Sequence, residues 1–591
     1  MEALLNRLQS RSKILIFALN IIFFTISLAL CLYLHSPGPS VVISAFLFVL
    51  CQSILLWIIF REAPSLKLLR ENWPVFLTCM SALAYLLMII IRCQNAMETG
   101  GTYSMLGIML CIFMIYMTAL ISELIVSGKW NFENLFATQA ILFGIVLGMV
   151  FPLNTIADEP QHMRTAYNLS NIMMGIQSPE KTVMMRQDDA DYDFGYTVYD
   201  INDVNRYLSQ LTAPLKDGTL VPVSQEEATP HTLDYSRIPK VFKTEWYQYV
   251  PSAAGITLGR LLKLNTIATY LLGRLFNLLF YTGIIFLCLK VLPVGKSILY
   301  TIALFPISLQ IASSMSRDVF RISAAVLVVA LTLYLFYTDQ TKIRFRKTLT
   351  GLLIVSGLLL FPLRSFIYSL TAILPLMIFA YRKKWITDRM VRNTAITCAG
   401  LFVVLILLKY LVFPGDIVEE PKILLSWTNE YRYTKEVFIN HPLFTFTYLK
   451  NTLFHRGDYY LKTMIGYQLG WLDLNIPDHL VSTLLILLAI SAIRRDYEPL
   501  RLSNRMRFTL FVTSAVSIVL IIMGITLQWT PVTSSVAEGV QGRYFLPIAL
   551  PMLLAFRGKS ISANEKCDVL CICIQFIALI MTTAYLIMRL L

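Results

Sequence analysis

Runs of about 20 apolar residues, the length an α-helix needs to cross a hydrocarbon core, recur from Lys13 to the C-terminus. In lipid every backbone polar group must be satisfied within the protein, which confines such runs to helices packed on one another. The chain therefore reads as an all-α polytopic membrane protein. About fifteen candidate spans fall at roughly 14–34, 41–60, 74–91, 103–125, 134–152, 266–289, 297–312, 318–338, 348–361, 365–381, 393–413, 479–493, 508–528, 543–556 and 567–588. Charged residues make up only 15% of the 591, against about 25% in soluble domains. A soluble enzyme and a disordered regulator are excluded on that ground.

The net charge of +14 resembles a nucleic-acid signal until the charges are located. Eight alternate connections, starting with the N-terminal segment, hold 26 Lys and Arg; the short connections on the other side hold only Arg92, Arg317 and Arg364. Basic residues in short loops mark the cytoplasmic face. The charge is thus mostly a topology signal and no nucleic-acid partner is expected. It puts the N-terminus in the cytoplasm, and the odd span count puts the C-terminus outside. Met1 to Lys13 is basic and precedes a full-length span with no small-residue cleavage site, the pattern of an uncleaved signal anchor. Nine of ten cysteines fall inside apolar spans, the long outer loops contain none, and no CxxC pair occurs. A disulfide framework is not expected.

Two connections on the outer side are long, and loops of that length in a compact protein usually carry function. Leu153 to Lys263 holds 14 acids and 10 bases; it reads as a small α+β extracytoplasmic subdomain. Pro414 to Asp478 contains Trp427, Tyr431, Tyr433, Tyr448, Trp471 and the stretch His455 to Tyr460, a density that suits amphipathic helices at the lipid interface. Four units follow. They are an accessory four-helix bundle (1–133), a core membrane module with its outer loop 153–265 (134–413), the second outer loop (414–478) and the C-terminal helices (479–591).

The clearest local constellation is Ile156-Ala157-Asp158-Glu159-Pro160-Gln161-His162-Met163-Arg164. Pro160 suits the first turn of a helix, and a carboxylate before it suits a cap. On that helix Asp158 and His162, four apart, share a face. An ordinary acidic cap and a general base held at the membrane surface fit equally well. Arg274, Arg317, Asp318, Arg321, Arg364, Lys409 and Arg543 lie in or beside spans near their outer ends. A buried Arg costs about 2.5–3.5 kcal/mol on insertion scales. Each alone can snorkel, but a convergent group points to a shared anion. Guanidinium suits phosphate, and in the outer leaflet a lipid phosphate is the candidate. Asp318 can cap its helix, pair with Arg321, or join Asp158.

Asp189, Asp191, Asp193 and Asp200 mimic positions 1, 3, 5 and 12 of a calcium loop. Phe194 stands where glycine is needed, so a solvated acidic turn is the better reading. The histidines show no ligand spacing and no phosphate-binding loop occurs. No cofactor is called for, and a divalent metal is left open.

Six stretches give the chain a family resemblance. They are Ala157 to His162 with Arg164, Ala166 and Tyr167; Tyr249-Val250-Pro251-Ser252-Ala253; and Leu272 to Asn277. The others are Ser314 to Asp318, Gly470-Trp471-Leu472-Asp473, and Gln541-Gly542-Arg543-Tyr544-Phe545-Leu546-Pro547. Over about residues 134–556 the chain resembles the bacterial polytopic membrane proteins grouped as domain of unknown function 2142. Gln161 departs from the small residue usual after Glu-Pro. That family is similar in layout to GT-C membrane glycosyltransferases. The likeness implies a multi-pass plasma-membrane enzyme whose large loops are extracytoplasmic. Its donor would be a polyprenyl-phosphate-linked sugar and its acceptor a cell-envelope glycan.

On that likeness Asp158 is the catalytic base and Glu159 a supporting carboxylate. Arg274 and Arg543 are donor-phosphate ligands, and His162, Arg164, Asp318, Arg321, Trp471 and Tyr544 complete the substrate site. The expected reaction is an inverting transfer with the aromatic second loop closing over both substrates. A lipid-linked glycan flippase should instead carry polar or helix-breaking positions near mid-membrane. A polysaccharide ligase or polymerase on polyprenyl diphosphate would share the arginine logic, and a scaffold would tolerate loss of the carboxylates.

Overall fold

A computed structural model describes residues 73–192, 213–224, 245–338, 343–382 and 424–589, with a few short breaks, together with Tyr207, Gln210 and Leu211. The expected spans at 14–34, 41–60 and 393–413 lie outside these residues, as do Arg364, Lys409, Trp427, Asp193 and Asp200. The first helices are α1 (Trp73–Asn95), α2 (Met97–Val126), α3 (Phe132–Val150), α4 (Glu159–Met173), α5 (Val250–Leu261) and α6 (Thr266–Val291). Next come α7 (Lys296–Ala303), α8 (Pro306–Ala312), α9 (Asp318–Tyr337), α10 (Arg346–Leu360) and α11 (Ser369–Arg382). Within the long second connection lies α12 (Pro442–Ile465), and after it follow α13 (Asp478–Ser491), α14 (Asn504–Trp529), α15 (Leu546–Phe556) and α16 (Glu565–Met588). Six of these, α1, α3, α6, α9, α14 and α16, are long and apolar enough to cross a membrane.

Several long helices start where a short polar side chain satisfies an orphan N–H. Asn131, Asn265, Ser503 and Asn564 accept from the backbone of α3, α6, α14 and α16. The 297–312 segment is not the single span expected. Pro306 cannot donate an N–H and it breaks the run into α7 and α8, eight and seven residues long. The carbonyls released at the break are taken up by side chains: Ser308 Oγ donates to Ile302 O (2.8 Å), Tyr281 Oη to Ala303 O (3.0 Å) and Gln575 Nε2 to Leu304 O (3.0 Å). A discontinuous helix at membrane depth persists only when protein groups replace its lost bonds in this way.

The α1–α2 hairpin, the described half of the leading bundle, packs against α16, so the first and last of the described helices meet. The first long connection contributes α4, α5 and a two-stranded antiparallel ribbon, β1 (Thr182–Arg186) against β2 (Leu220–Ser224), with Thr182 opposite Ser224. Asp189 underlies this subdomain. It is fully buried and accepts from Tyr167 Oη (2.6 Å), Arg186 Nε (2.7 Å) and Nη2 (2.9 Å), and Thr266 Oγ1 (2.7 Å). It is therefore a structural anchor between α4, β1 and α6, not part of a solvated acidic turn.

At the opposite end, the basic connections 290–296, 494–507 and 557–566 are clamped together. Arg495 pairs with Asp568 at 2.7 Å with both side chains fully buried, and Tyr497 also donates to Asp568. Glu498 binds Arg557 and accepts from Gly295 N (2.7 Å). Helix α14 starts beside this clamp. Its 26 residues, at about 1.5 Å each, separate it from the loops that gather around α4.

Candidate functional site

The site begins where α3 ends. Between Phe151 and Asp158 the backbone turns back on itself, with Asn154 and Asp158 in left-handed conformations (φ 69° and 64°). Asx side chains tolerate that region better than most. Asp158 occupies the N-cap position of α4, yet its carboxylate makes no cap hydrogen bond. The capping explanation therefore fails, and the carboxylate is directed elsewhere.

Glu159, one residue on, points into the core with 1% of its surface exposed. It accepts from Arg274 Nε (2.8 Å) and Nη2 (2.6 Å), from Asn154 N (3.1 Å) and from Met315 N (3.3 Å). Arg274 also donates through Nη1 to Gly148 O (3.0 Å) and Phe151 O (2.6 Å), and through Nη2 to Pro152 O (2.9 Å). All five of its N–H donors are thereby committed. Arg274 closes off the C-terminal carbonyls of α3 and ties α3, α4 and α6 together. This corrects the expectation that it holds a donor phosphate, since it has no donor left to offer. It is brought there by a glycine crossing: a Cβ on Gly255 of α5 would run into Leu272 O of α6.

Asp158 turns the other way. Its side chain is 35% exposed, and Oδ2 accepts from Arg543 Nη2 at 2.8 Å. Arg543 Nε lies 3.7 Å from Asp318 Oδ2. Asp318 in turn receives Arg321 Nη1 at 2.7 Å, and Arg321 Nη2 reaches Glu245 Oε2 at 3.0 Å. The result is a chain of alternating charge, Glu245–Arg321–Asp318–Arg543–Asp158, assembled from four separated parts of the sequence. Asn277 Nδ2 fixes the turn before Asp318 by donating to Ser314 O (2.8 Å) and Ser316 O (3.1 Å). Asp318 thus pairs with Arg321 and also faces the site.

His162 does share a face with Asp158. Its Nδ1 sits 2.9 Å from Tyr249 Oη, and both residues are buried. Burial, with Arg317 nearby, pushes the imidazole down to about 3 despite Asp158 and Asp318, so it is neutral. Burial works against the charge on Asp158 as well, but the Arg543 guanidinium outweighs it and holds the carboxyl below the usual range. Arg164, two residues beyond His162, projects from the other side of α4 toward Tyr270 and does not join the cluster.

The second long connection supports the site from behind. A hairpin of β3 (Gln468–Leu469) and β4 (Leu474–Asn475) presses its tip on the turn before α4. There Trp471 Nε1 donates to Asn154 O (2.8 Å) and Ala157 N to Gly470 O (3.3 Å). Trp471 is half-buried and its indole N–H is committed, so it fixes the Asp158 turn. Helix α12 holds the 530–543 segment: Thr452 Oγ1 receives Ala537 N (3.0 Å) and Thr463 Oγ1 receives Gly542 N (3.0 Å). A Cβ on Gly542 would collide with Met464 N and Tyr460 O, so only glycine lets this turn reach α12. Arg543 and Tyr544 follow, with the guanidinium 5.3 Å from the Tyr544 ring centroid.

Sequence reasoning missed Glu245 and the role of Tyr249. No spacing signals either one, because their partners lie 76 and 87 residues away. Among the described residues no group of three or more His, Cys, Asp and Glu is arranged to hold a metal.

No curated protein and no solved structure matches the chain. The profile of one family, described as "Predicted membrane protein (DUF2142)", matches residues 141–552, a range that takes in α4, the turn before Asp318 and the Arg543 turn. The chain belongs to that family.

Proposed function

We propose that this protein is a membrane glycosyltransferase of GT-C type that moves a sugar from a polyprenyl-phosphate donor to a cell-envelope glycan acceptor. The single observation that carries this is the half-exposed Asp158 carboxylate paired with the buried Arg543 guanidinium, 385 residues away in sequence. One group can take a proton and the other can meet a phosphate, and they stand side by side. In this reading the clamp of basic connections lies in the cytoplasm, as the bias of Lys and Arg in short loops favours, and the site faces outward, where lipid-linked sugars serve as donors.

In the proposed step Asp158 accepts the acceptor hydroxyl proton as that oxygen bonds to the anomeric carbon. The bond from that carbon to the phosphate oxygen breaks, and its electron pair leaves with the polyprenyl phosphate. Arg543, backed by Asp318 and Arg321, meets the growing charge. A positioned donor of this kind is worth about 3–4 kcal/mol in the transition state. Glu159 and Arg274 act as positioning residues that hold the turn on which Asp158 sits. His162, kept neutral against Tyr249, lines the same face.

The test is an Asp158→Asn variant that inserts and accumulates normally. Loss of one sugar from the envelope glycan is expected; an unchanged glycan composition would reject Asp158 as the base. Arg543→Ala should weaken binding of polyprenyl phosphate, and unaltered affinity rejects its phosphate role.

A further inference from the structure

The charges of the cluster are balanced before any substrate arrives. Asp158, Asp318 and Glu245 stand against Arg543, Arg321 and the neighbouring Arg317, and His162 is neutral. Their commitments are unequal. Arg321 is tied through both terminal nitrogens to Asp318 and Glu245, with only 2% of its side chain exposed. Arg543 has one close carboxylate, Asp158, while its Nε makes no hydrogen bond and stands 3.7 Å from Asp318. Asp158 is also the most exposed of the three carboxylates, at 35% against 22% for Glu245 and 11% for Asp318. It covers the guanidinium from the open side.

Resting on the proposed transferase reading, we infer that the Asp158–Arg543 ion pair is a latch which the phosphodiester of the donor, or the polyprenyl monophosphate it leaves behind, opens by exchange. An incoming phosphate takes Arg543, to which it can bond through two oxygens, and displaces Asp158. While the pair is closed, the carboxylate is occupied by a permanent cation and is a poor proton acceptor. Once displaced it faces solvent with its lone pairs free. The base is therefore assembled only after the donor is seated, so the donor binds before the acceptor. This order keeps the carboxylate from activating water or an acceptor when no sugar is present. Asp318 stays in place through the exchange because Arg321 retains it, and Glu159 cannot substitute, since its oxygens are held by Arg274 and two backbone N–H groups.

The experiment uses the purified full-length chain in detergent. Carboxyl groups are labelled with a water-soluble carbodiimide and an amine, and the peptide from α4 is read by mass spectrometry. Asp158 faces Arg543, Asp318 and His162, and release from Arg543 makes it both more exposed and easier to protonate. A saturating short-chain polyprenyl monophosphate should raise Asp158 labelling severalfold and leave Glu159 unlabelled. Inorganic phosphate is run in parallel. Release by the lipid alone assigns the latch to a lipid headgroup, and equal release by both assigns it to a soluble phosphate. Asp158→Asn should tighten lipid-phosphate binding about two- to fivefold, the range expected for removing a half-exposed competitor. Bound lipid with unchanged or reduced Asp158 labelling overturns the latch and leaves the transferase reading standing. Absence of binding by either phosphate overturns both.

Discussion

Two adjacent carboxylates should respond in opposite ways to the same chemical change, loss of one charge. Glu159→Gln leaves Arg274 fully buried without its counter-ion, inside a network that also closes the end of α3. Breaking a buried pair from one side typically costs about 3–5 kcal/mol, because the remaining charge has no partner. The amide also presents an N–H₂ to a guanidinium that can only donate. Asp158→Asn instead keeps an oxygen that can accept from Arg543 Nη2 and leaves Asp318 3.7 Å from Arg543, so it should cost only about 1 kcal/mol. Asparagine moreover tolerates the left-handed backbone at this position (φ 64°). Thermal unfolding can be followed with a thiol-reactive fluorophore, because Cys79, Cys93, Cys111, Cys288, Cys571 and Cys573 are buried free thiols that become reactive as helices separate. Glu159→Gln should lower the apparent midpoint clearly and Asp158→Asn hardly at all, while Asp158→Asn abolishes sugar transfer. Equal destabilisation by the two changes, or a larger loss for Asp158→Asn, would refute the division between a structural and a functional carboxylate.

Three further outcomes follow from the packing. Gly542→Ala should reduce the yield of folded protein, since the new methyl group meets backbone of α12 that cannot move aside; Gly351→Ala, where nothing lies within 4 Å, is the neutral control. Trp471→Phe removes the indole N–H from Asn154 O and should cost about 1 kcal/mol, read in the same thiol assay as a lowered midpoint; an unchanged midpoint rejects its anchoring role. For His162, the folded imidazole sits near 3 and the unfolded one near 6.5. The unfolded chain therefore binds the extra proton as pH falls below about 6.5, and stability is lost progressively toward about 3. His162→Gln should flatten the acid side of the stability profile, and an identical slope in both proteins would show that His162 is not buried neutral.

Much of the membrane architecture was legible because it depends on short-range pattern. Apolar run length located the six helices long and apolar enough to span, from Trp73–Asn95 to Glu565–Met588, and Pro306, readable as a helix breaker, is the residue that splits the expected span at 297–312. Asp318, Arg321 and Arg543 stood out as charges in the wrong solvent and Asp158 as a carboxylate at a helix start, and they do meet. The arginines could not be ranked from sequence. Arg274 and Arg543 have the same local appearance, each following a glycine at the outer end of an apolar run. Yet one is saturated by Glu159 and three carbonyls, and the other has a single close carboxylate. Trp471 was likewise legible as an aromatic at the site but not as a clasp on Asn154.

What the sequence determined by itself was the solvent of each segment: which stretches belong in lipid, which ends are basic, and which charges are too costly to be left alone there. Those are sums over neighbouring residues, and burial free energy depends on composition over a helix length. Only the tertiary structure decided which acid faces which guanidinium, because a buried charge is satisfied by direction and distance at the level of single atoms. The 64° backbone angle at Asp158 sends one carboxylate inward to Arg274 and its neighbour outward to Arg543. No pattern along the chain encodes that division.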